Sequence, residues 1–176
     1  MFVHIVTIVF VSLYFLAPSA QAVQAVQFGT TVPMSKKGTA TYYVPVEFDG
    51  VARNELMVDT GSDYVTINET TLDLLKGRGK VDYVKQVGGI MADGTDIIVP
   101  IYRIANLNIG CCCIVYDVEA AVFKGTERQI LGLSALKKVA PFALSVDPAH
   151  LILSDCKTHS LDLEQLSLNW THIQHV

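Results

Sequence analysis

Short stretches of β-branched and aromatic residues run along this chain in near-alternation with polar ones, and turn residues cut them at frequent intervals. "TYYVPVEF" from Thr41 predicts a strand, Asp49-Gly50 a hairpin turn and Glu55 to Val58 the returning strand. "YVTI" follows as a strand. Asn68 can then cap a short helix, "ETTLDLL", with Glu69 near its positive end and Gly77 and Gly79 past its finish. "VDYVKQVGGIM", a turn at Ala92-Asp93-Gly94-Thr95 and "DIIVPIYRIANLNI" predict a second, longer hairpin. Gly110 opens another strand, "CCCIVYDV", and Phe123 to Glu127 read as a loop. "RQILG" is a short apolar strand closing on Gly132. "LSALKKV" is a short helix with Leu133, Leu136 and Val139 on one face, stopped by Pro141. "FALSV", Asp147-Pro148 and "LILS" make a final hairpin. Many short strands with one or two short helices predict an all-β fold, a small closed barrel.

The ends of the chain read differently. Phe2 to Ala17 is apolar, Pro18 breaks it, and Ala20-Gln21-Ala22 has the small-residue spacing of a cleavage site. Residues 1–22 are therefore expected to be a secretory signal peptide, which makes the protein exported (periplasmic or secreted). The alternative is a membrane anchor formed by residues 2–18, although that run is short of the roughly 20 residues that span a bilayer. Residues 23–38 read as a linker, 39–156 as the folded domain and 157–176 as a polar C-terminal tail. With 176 residues the chain has room for one domain with a real core. The formal net charge is −4, and no basic run exceeds Lys36-Lys37 or Lys137-Lys138. Nucleic acid is an unexpected partner, because phosphate binding needs clustered positive charge.

One tetrapeptide carries chemistry. In "ELMVDTGSDYVTI" an apolar strand delivers Asp59 into a tight turn, Thr60-Gly61-Ser62, and a second apolar strand leaves it. Hydrolysis of a peptide without a metal or a covalent nucleophile needs water that is both polarised and deprotonated. Two carboxylates within hydrogen-bond distance can do this by sharing one proton, since like charges so close cannot both ionise. One acts as base toward water while the other donates to the substrate carbonyl. Asp59 is the catalytic candidate. Gly61 lets backbone approach the carboxylate, Thr60 can reach across to its symmetry mate, and Ser62 is expected to donate a hydrogen bond to the carboxylate. By itself the motif could equally be an Asx turn between strands.

These stretches together resemble the retropepsin-like aspartic proteases, in the small single-domain form found in bacterial sequences. The resemblance rests on "LMVDTGSDYVTI", on "GIMADGT" and on "ILGLSALKKVAPFALSVDPAHLIL", and it spans roughly Thr41 to Ser154. It implies a half-pepsin barrel that pairs as a homodimer, with one Asp from each subunit. It implies a flap formed by Ile90, Met91, Ala92, Asp93, Gly94 and Thr95 that closes over an extended peptide or protein substrate. It also implies that Ile130, Leu131 and Gly132 back the catalytic loop. The G-R-[ND] sequence of retroviral members is absent: Leu133 and Ser134 follow Gly132. The ion network which that sequence builds cannot be carried over. Asp93 adds a negative charge at the flap tip.

The rival reading is a non-catalytic module of the same fold, used for peptide binding or dimerisation. No metal or organic cofactor is expected. Cys111, Cys112 and Cys113 lack the C-x-x-C spacing of zinc sites. They can be small apolar residues of a strand, one can bridge to Cys156, or a neighbouring pair can be redox-active. A second D-T-G motif is absent, and Asp147 is followed by Pro148 and Ala149, the sequence of a hairpin turn. The two carboxylates of the mechanism must therefore come from two copies of the chain.

Overall fold

A computed structural model describes residues 28–90, 94–125 and 128–156. The proposed signal segment 1–22, the tail 157–176 and flap residues Met91, Ala92 and Asp93 lie outside the described residues. The elements in chain order are strands β1 (Thr30–Pro33), β2 (Ser35–Lys37), β3 (Thr41–Phe48), β4 (Ala52–Val58) and β5 (Val65–Asn68), then helix α1 (Glu69–Lys76). Strands β6 (Val81–Ile90), β7 (Asp96–Ile109), β8 (Cys113–Phe123) and β9 (Ile130–Leu131) follow. Helix α2 (Leu133–Leu136) runs into a 3-10 turn (Lys137–Val139), and β10 (Phe142–Val146) and β11 (Ala149–Leu153) close the series.

The larger sheet runs β2-β3-β4-β9-β5-β8-β7-β6, and an additional β3–β7 pairing closes its middle six strands into a ring. That closure removes the edges of the strands that carry the core. It pairs Val46 with Ile109 and Phe48 with Leu107. Val44, Val46, Phe48, Leu56, Val65, Ile67, Ile104, Leu107 and Ile109 are almost fully buried inside. Strand β2 continues the same edge of β3, and β6 continues the ring outward from β7 as one arm of the long hairpin. The smaller sheet, β1-β11-β10, buries Val32, Leu151 and Leu153 against the main core.

Local chemistry sets the connections. Asp49 (φ 47°) and Gly50 (φ 70°) both sit in the left-handed region, and Val51 N–H donates to Phe48 O (2.8 Å), which makes a tight turn within the three residues between β3 and β4. The Asp49 side chain accepts from Asn106 and faces Lys80 Nζ at 3.1 Å, so the turn is tied to β7. Asn68 caps α1: its side-chain oxygen accepts from Thr71 N–H at 2.9 Å. The helix buries Thr71, Leu72 and Leu75.

Two expectations need correction. The stretch 23–38 is not a linker throughout, because β1 and β2 form between Thr30 and Lys37 and Val32 is buried. The strand after Gly110 starts only at Cys113, with Cys111 and Cys112 on the preceding turn, and it runs on through Phe123, where a loop was expected. Among the alternatives open for the cysteines, Cys113 takes the bridge to Cys156.

Strand β2 is held from two sides. Ser35 Oγ donates to Glu55 Oε1 at 3.0 Å, Lys37 pairs with Glu55 Oε2, and Lys37 Nζ lies 4.6 Å from the Tyr43 ring centre. The hydrogen bond from Lys37, reinforced by that from Ser35, holds the Glu55 carboxyl below its ordinary range. A carboxyl lowered on folding adds stability that is present above its unfolded pKa and is lost as pH falls through its folded value. The pair is half exposed, so its worth is about 1 kcal/mol at most. We expect Glu55→Gln to lose less stability than wild type between pH 7 and pH 3, measured by urea unfolding. Equal losses would remove Glu55 from the acid response.

Candidate active site

Strand β4 ends at Val58 beside the two-residue strand β9, with Met57 paired to Ile130 and Val58 to Leu131 in parallel. Strand β5 takes the other side of β9, with Thr66 opposite Ile130. The chain between β4 and β5, residues 59–64, must therefore pass around the end of β9. Asp59 N–H donates to Leu131 O at 3.2 Å, Leu133 N–H to Ser62 O at 2.8 Å and Ser134 N–H to Asp63 O at 2.9 Å. The loop is thus bonded along its length to the segment beneath it.

Gly132 makes the crossing possible. A Cβ built there would lie 2.1 Å from Tyr64 O and 2.8 Å from Ser62 O, both backbone atoms. No side chain fits, and the obstacle is distance, since φ is an ordinary −96°. Next to it Ser134 works as a two-way bridge. Its hydroxyl accepts from Val65 N–H at 2.8 Å and donates to Glu119 O at 2.7 Å, which joins β5 to β8 at the exit of the loop.

On this support the Asp59 side chain is half-buried at the top of the turn. Gly61 N–H donates to Asp59 Oδ1 at 2.9 Å, and a Cβ at Gly61 would stand 3.2 Å from that oxygen. One carboxylate oxygen is held by backbone, and the other makes no hydrogen bond among the described residues. Thr60 is exposed, and its hydroxyl is also unpaired among the described residues. Ser62 does not do what its position suggested: its hydroxyl donates to Tyr64 O at 2.9 Å and not to Asp59. The backbone at 62–63 is pinned by Leu133 and Ser134, and from there the hydroxyl reaches forward along the chain.

The long β6–β7 hairpin stands beyond the ring. Val99, Ile101 and Ala121 form a small buried cluster there, against which Tyr64, Val84, Val87, Ile97 and Phe123 pack. Tyr64 belongs both to the loop and to this cluster, so an apolar wall runs from the loop to the hairpin. At the far end Ile90 (77% exposed) and Ile98 (73%) project into solvent, and Gly94 takes φ 86°. Ile90, Gly94 and Thr95 bracket the tip, and Ile90 pairs with Asp96. A depression of about 540 Å³ lined by Arg103, Asp117, Glu119, Ser134 and Lys138 lies behind the loop, and none of residues 59–62 lines it.

Ser134 is the residue bracing the loop that the sequence did not single out. It was noted only for replacing another residue type, and the signal that could have found it was its place two residues after a glycine that ends an apolar strand. Gly132 was placed behind the loop, but that it must lack a Cβ follows only from coordinates.

The profile of a family described as "gag-polyprotein putative aspartyl protease" matches residues 44–138, just over half of the chain. That span holds the Asp59 loop, the long hairpin, β9 and α2. No curated protein matches the sequence. Among solved structures, the crystal structure of a retropepsin-like aspartic protease from Rickettsia conorii is similar at 17% identity and a TM-score of 0.50. The likeness covers 73% of this chain and 93% of that one, and at this identity it speaks for the fold alone.

Two substitutions probe the crossing. Gly132→Ala should destabilise by about 3 kcal/mol or more, because the backbone carbonyls it meets cannot rotate away. Ser134→Ala should cost about 1–3 kcal/mol by leaving Val65 N–H without its acceptor. Urea unfolding monitored by circular dichroism measures both, and a neutral Gly132→Ala would contradict the close approach.

Proposed function

The chain belongs to the retropepsin-like aspartic protease family, and from that premise we propose that it is an aspartic endopeptidase active as a homodimer. The observation that carries the reading is Asp59 itself. Its carboxylate is presented on a loop braced from below, with one oxygen fixed by Gly61 N–H and the other without a hydrogen bond among the described residues. A preorganised carboxylate with a free oxygen can take a proton from water.

A single such group cannot share a proton. The chain has one D-T-G sequence, and Asp147 lies on the turn between β10 and β11. A second Asp59 from another copy, with the Thr60 hydroxyls reaching across, supplies the partner. One carboxyl of the pair then stays protonated and polarises the scissile carbonyl, while the other accepts the proton of the attacking water. Water adds to the carbonyl carbon, and collapse of the tetrahedral intermediate expels the amine, which leaves with the proton that the basic carboxylate had taken from water.

An extended peptide lies between the loop and the β6–β7 hairpin in this reading. The flap, Ile90 to Thr95, covers it. The wall of Tyr64, Val87, Ile97 and Val99 favours apolar side chains near the scissile bond. We further propose that residues 1–22 direct export and are removed, with tethering by residues 2–18 as the alternative outcome.

Asp59→Asn should lower peptide cleavage by on the order of a thousandfold, in line with loss of a general base. The wild-type rate should peak on the acid side of neutral, where the pair holds one proton, and should fall on dilution below the dimer dissociation constant. Cleavage of a peptide library, read by mass spectrometry across pH and enzyme concentration, tests all three. Retained peptide binding without cleavage by wild type would favour the non-catalytic module. N-terminal sequencing of the exported protein should begin at Val23, and an intact Met1 would argue for the anchor.

A further inference from the structure

All four cysteines are engaged in two disulfides that differ in what governs their reduction. Cys113 is fully buried at the start of β8 and joins Cys156 just past β11, with Cα atoms 4.8 Å apart and a sequence separation of 43. A bond closing a loop of that length removes much conformational freedom from the unfolded chain. Burial of Cys113 also shields it from attack.

Cys111 and Cys112 are joined across a single peptide, with a sequence separation of 1. Both are exposed, on the turn that follows Gly110 (φ 71°). Cross-linking residues that are already neighbours constrains almost nothing in the unfolded chain. Exposure opens both sulfurs to an incoming thiolate. The base of the turn is secured without this bond. Gly110 N–H donates to Pro45 O at 2.8 Å, and Gly110 packs so closely on Val32 that a Cβ would come within 2.9 Å of it. Neither the ring nor the Asp59 loop uses the 111–112 linkage. One disulfide therefore belongs to the framework, and the other is free to open.

We propose that Cys111–Cys112 is a reversible thiol–disulfide exchange site for a dithiol delivered from solution, operating while Cys113–Cys156 stays closed. A thiolate of the dithiol attacks one sulfur of the pair, forms a mixed disulfide and expels the other cysteine as a thiolate, which takes up a proton. The second thiol of the reductant, as its thiolate, then attacks the mixed disulfide. It closes the reductant's own sulfur–sulfur bond and releases the remaining cysteine, which is protonated in turn. Two electrons and two protons pass to the protein, and the dithiol leaves as its cyclic disulfide. The inference stands apart from peptide hydrolysis and does not depend on it.

The test uses the oxidised full-length protein under native conditions. Graded dithiothreitol is added, the reaction is quenched in acid, free thiols are alkylated, and digests are read by mass spectrometry. Alkylated Cys111 and Cys112 should appear at dithiothreitol concentrations about tenfold or more below those that open the peptide pair linked through Cys113 and Cys156. Removal of reductant and addition of glutathione disulfide should close the exposed pair again. The variant Cys111→Ser/Cys112→Ser should keep the Cys113–Cys156 bond and the wild-type Tm. The proposal is overturned if the untreated protein carries free thiols at 111 and 112. It is also overturned if both bonds open together, or if the double variant loses the Cys113–Cys156 bond.

Discussion

A missing β-carbon governs this molecule. Where the loop of residues 59–64 crosses the end of β9, the backbones come so close that Gly132 is the only residue type the space admits. Three backbone hydrogen bonds, from Asp59, Leu133 and Ser134, then lock the two segments together. Because β9 is wedged between β4 and β5, the same crossing completes the ring of strands. Fold closure and the orientation of the Asp59 carboxylate are thus one event. Val65, at the exit of the loop, is fully buried, so its N–H needs a partner within the protein. The Ser134 hydroxyl meets that requirement for Val65 N–H.

The long hairpin answers to a different demand. Away from the main core it packs through a small second cluster, in which Val99 and Ile101 of β7 meet Ala121 of β8 and the surrounding apolar residues. Tyr64 ties that cluster to the loop. Toward the tip the burial runs out, and Ile90 and Ile98 are left in solvent. Packing along the arm therefore falls off from the ring toward Ile90 and Ile98. The smaller sheet is fastened to the ring through Val32 against Gly110 and through Cys113–Cys156. The terminal strands are therefore held both by contact and by a covalent link.

Much of this was legible before any coordinates. The Asp49-Gly50 turn, the Asn68 cap and the alternation of Val44, Val46 and Phe48 are local signals, and each forms as its residue types dictate. Strands β1 and β2 were not legible. They are short and polar, lie next to Gly29 and Gly38, and gain their identity only from β11 and β3, to which they pair. Ser62 misled for a related reason. A serine three residues after a turn carboxylate can donate to it, but here Leu133 and Ser134 pin the backbone and the hydroxyl donates forward to Tyr64 O.

The sequence by itself determined the all-β class, the hairpins, the capped helix and the loop that carries Asp59, because those depend on neighbours along the chain. Tertiary structure alone decided which strands close the ring, that Cys113 meets Cys156, why position 132 admits no side chain, and that Ser134 bridges β5 to β8. Each of those is a distance between groups far apart in sequence, fixed only when the chain packs, and residue type carries no record of it.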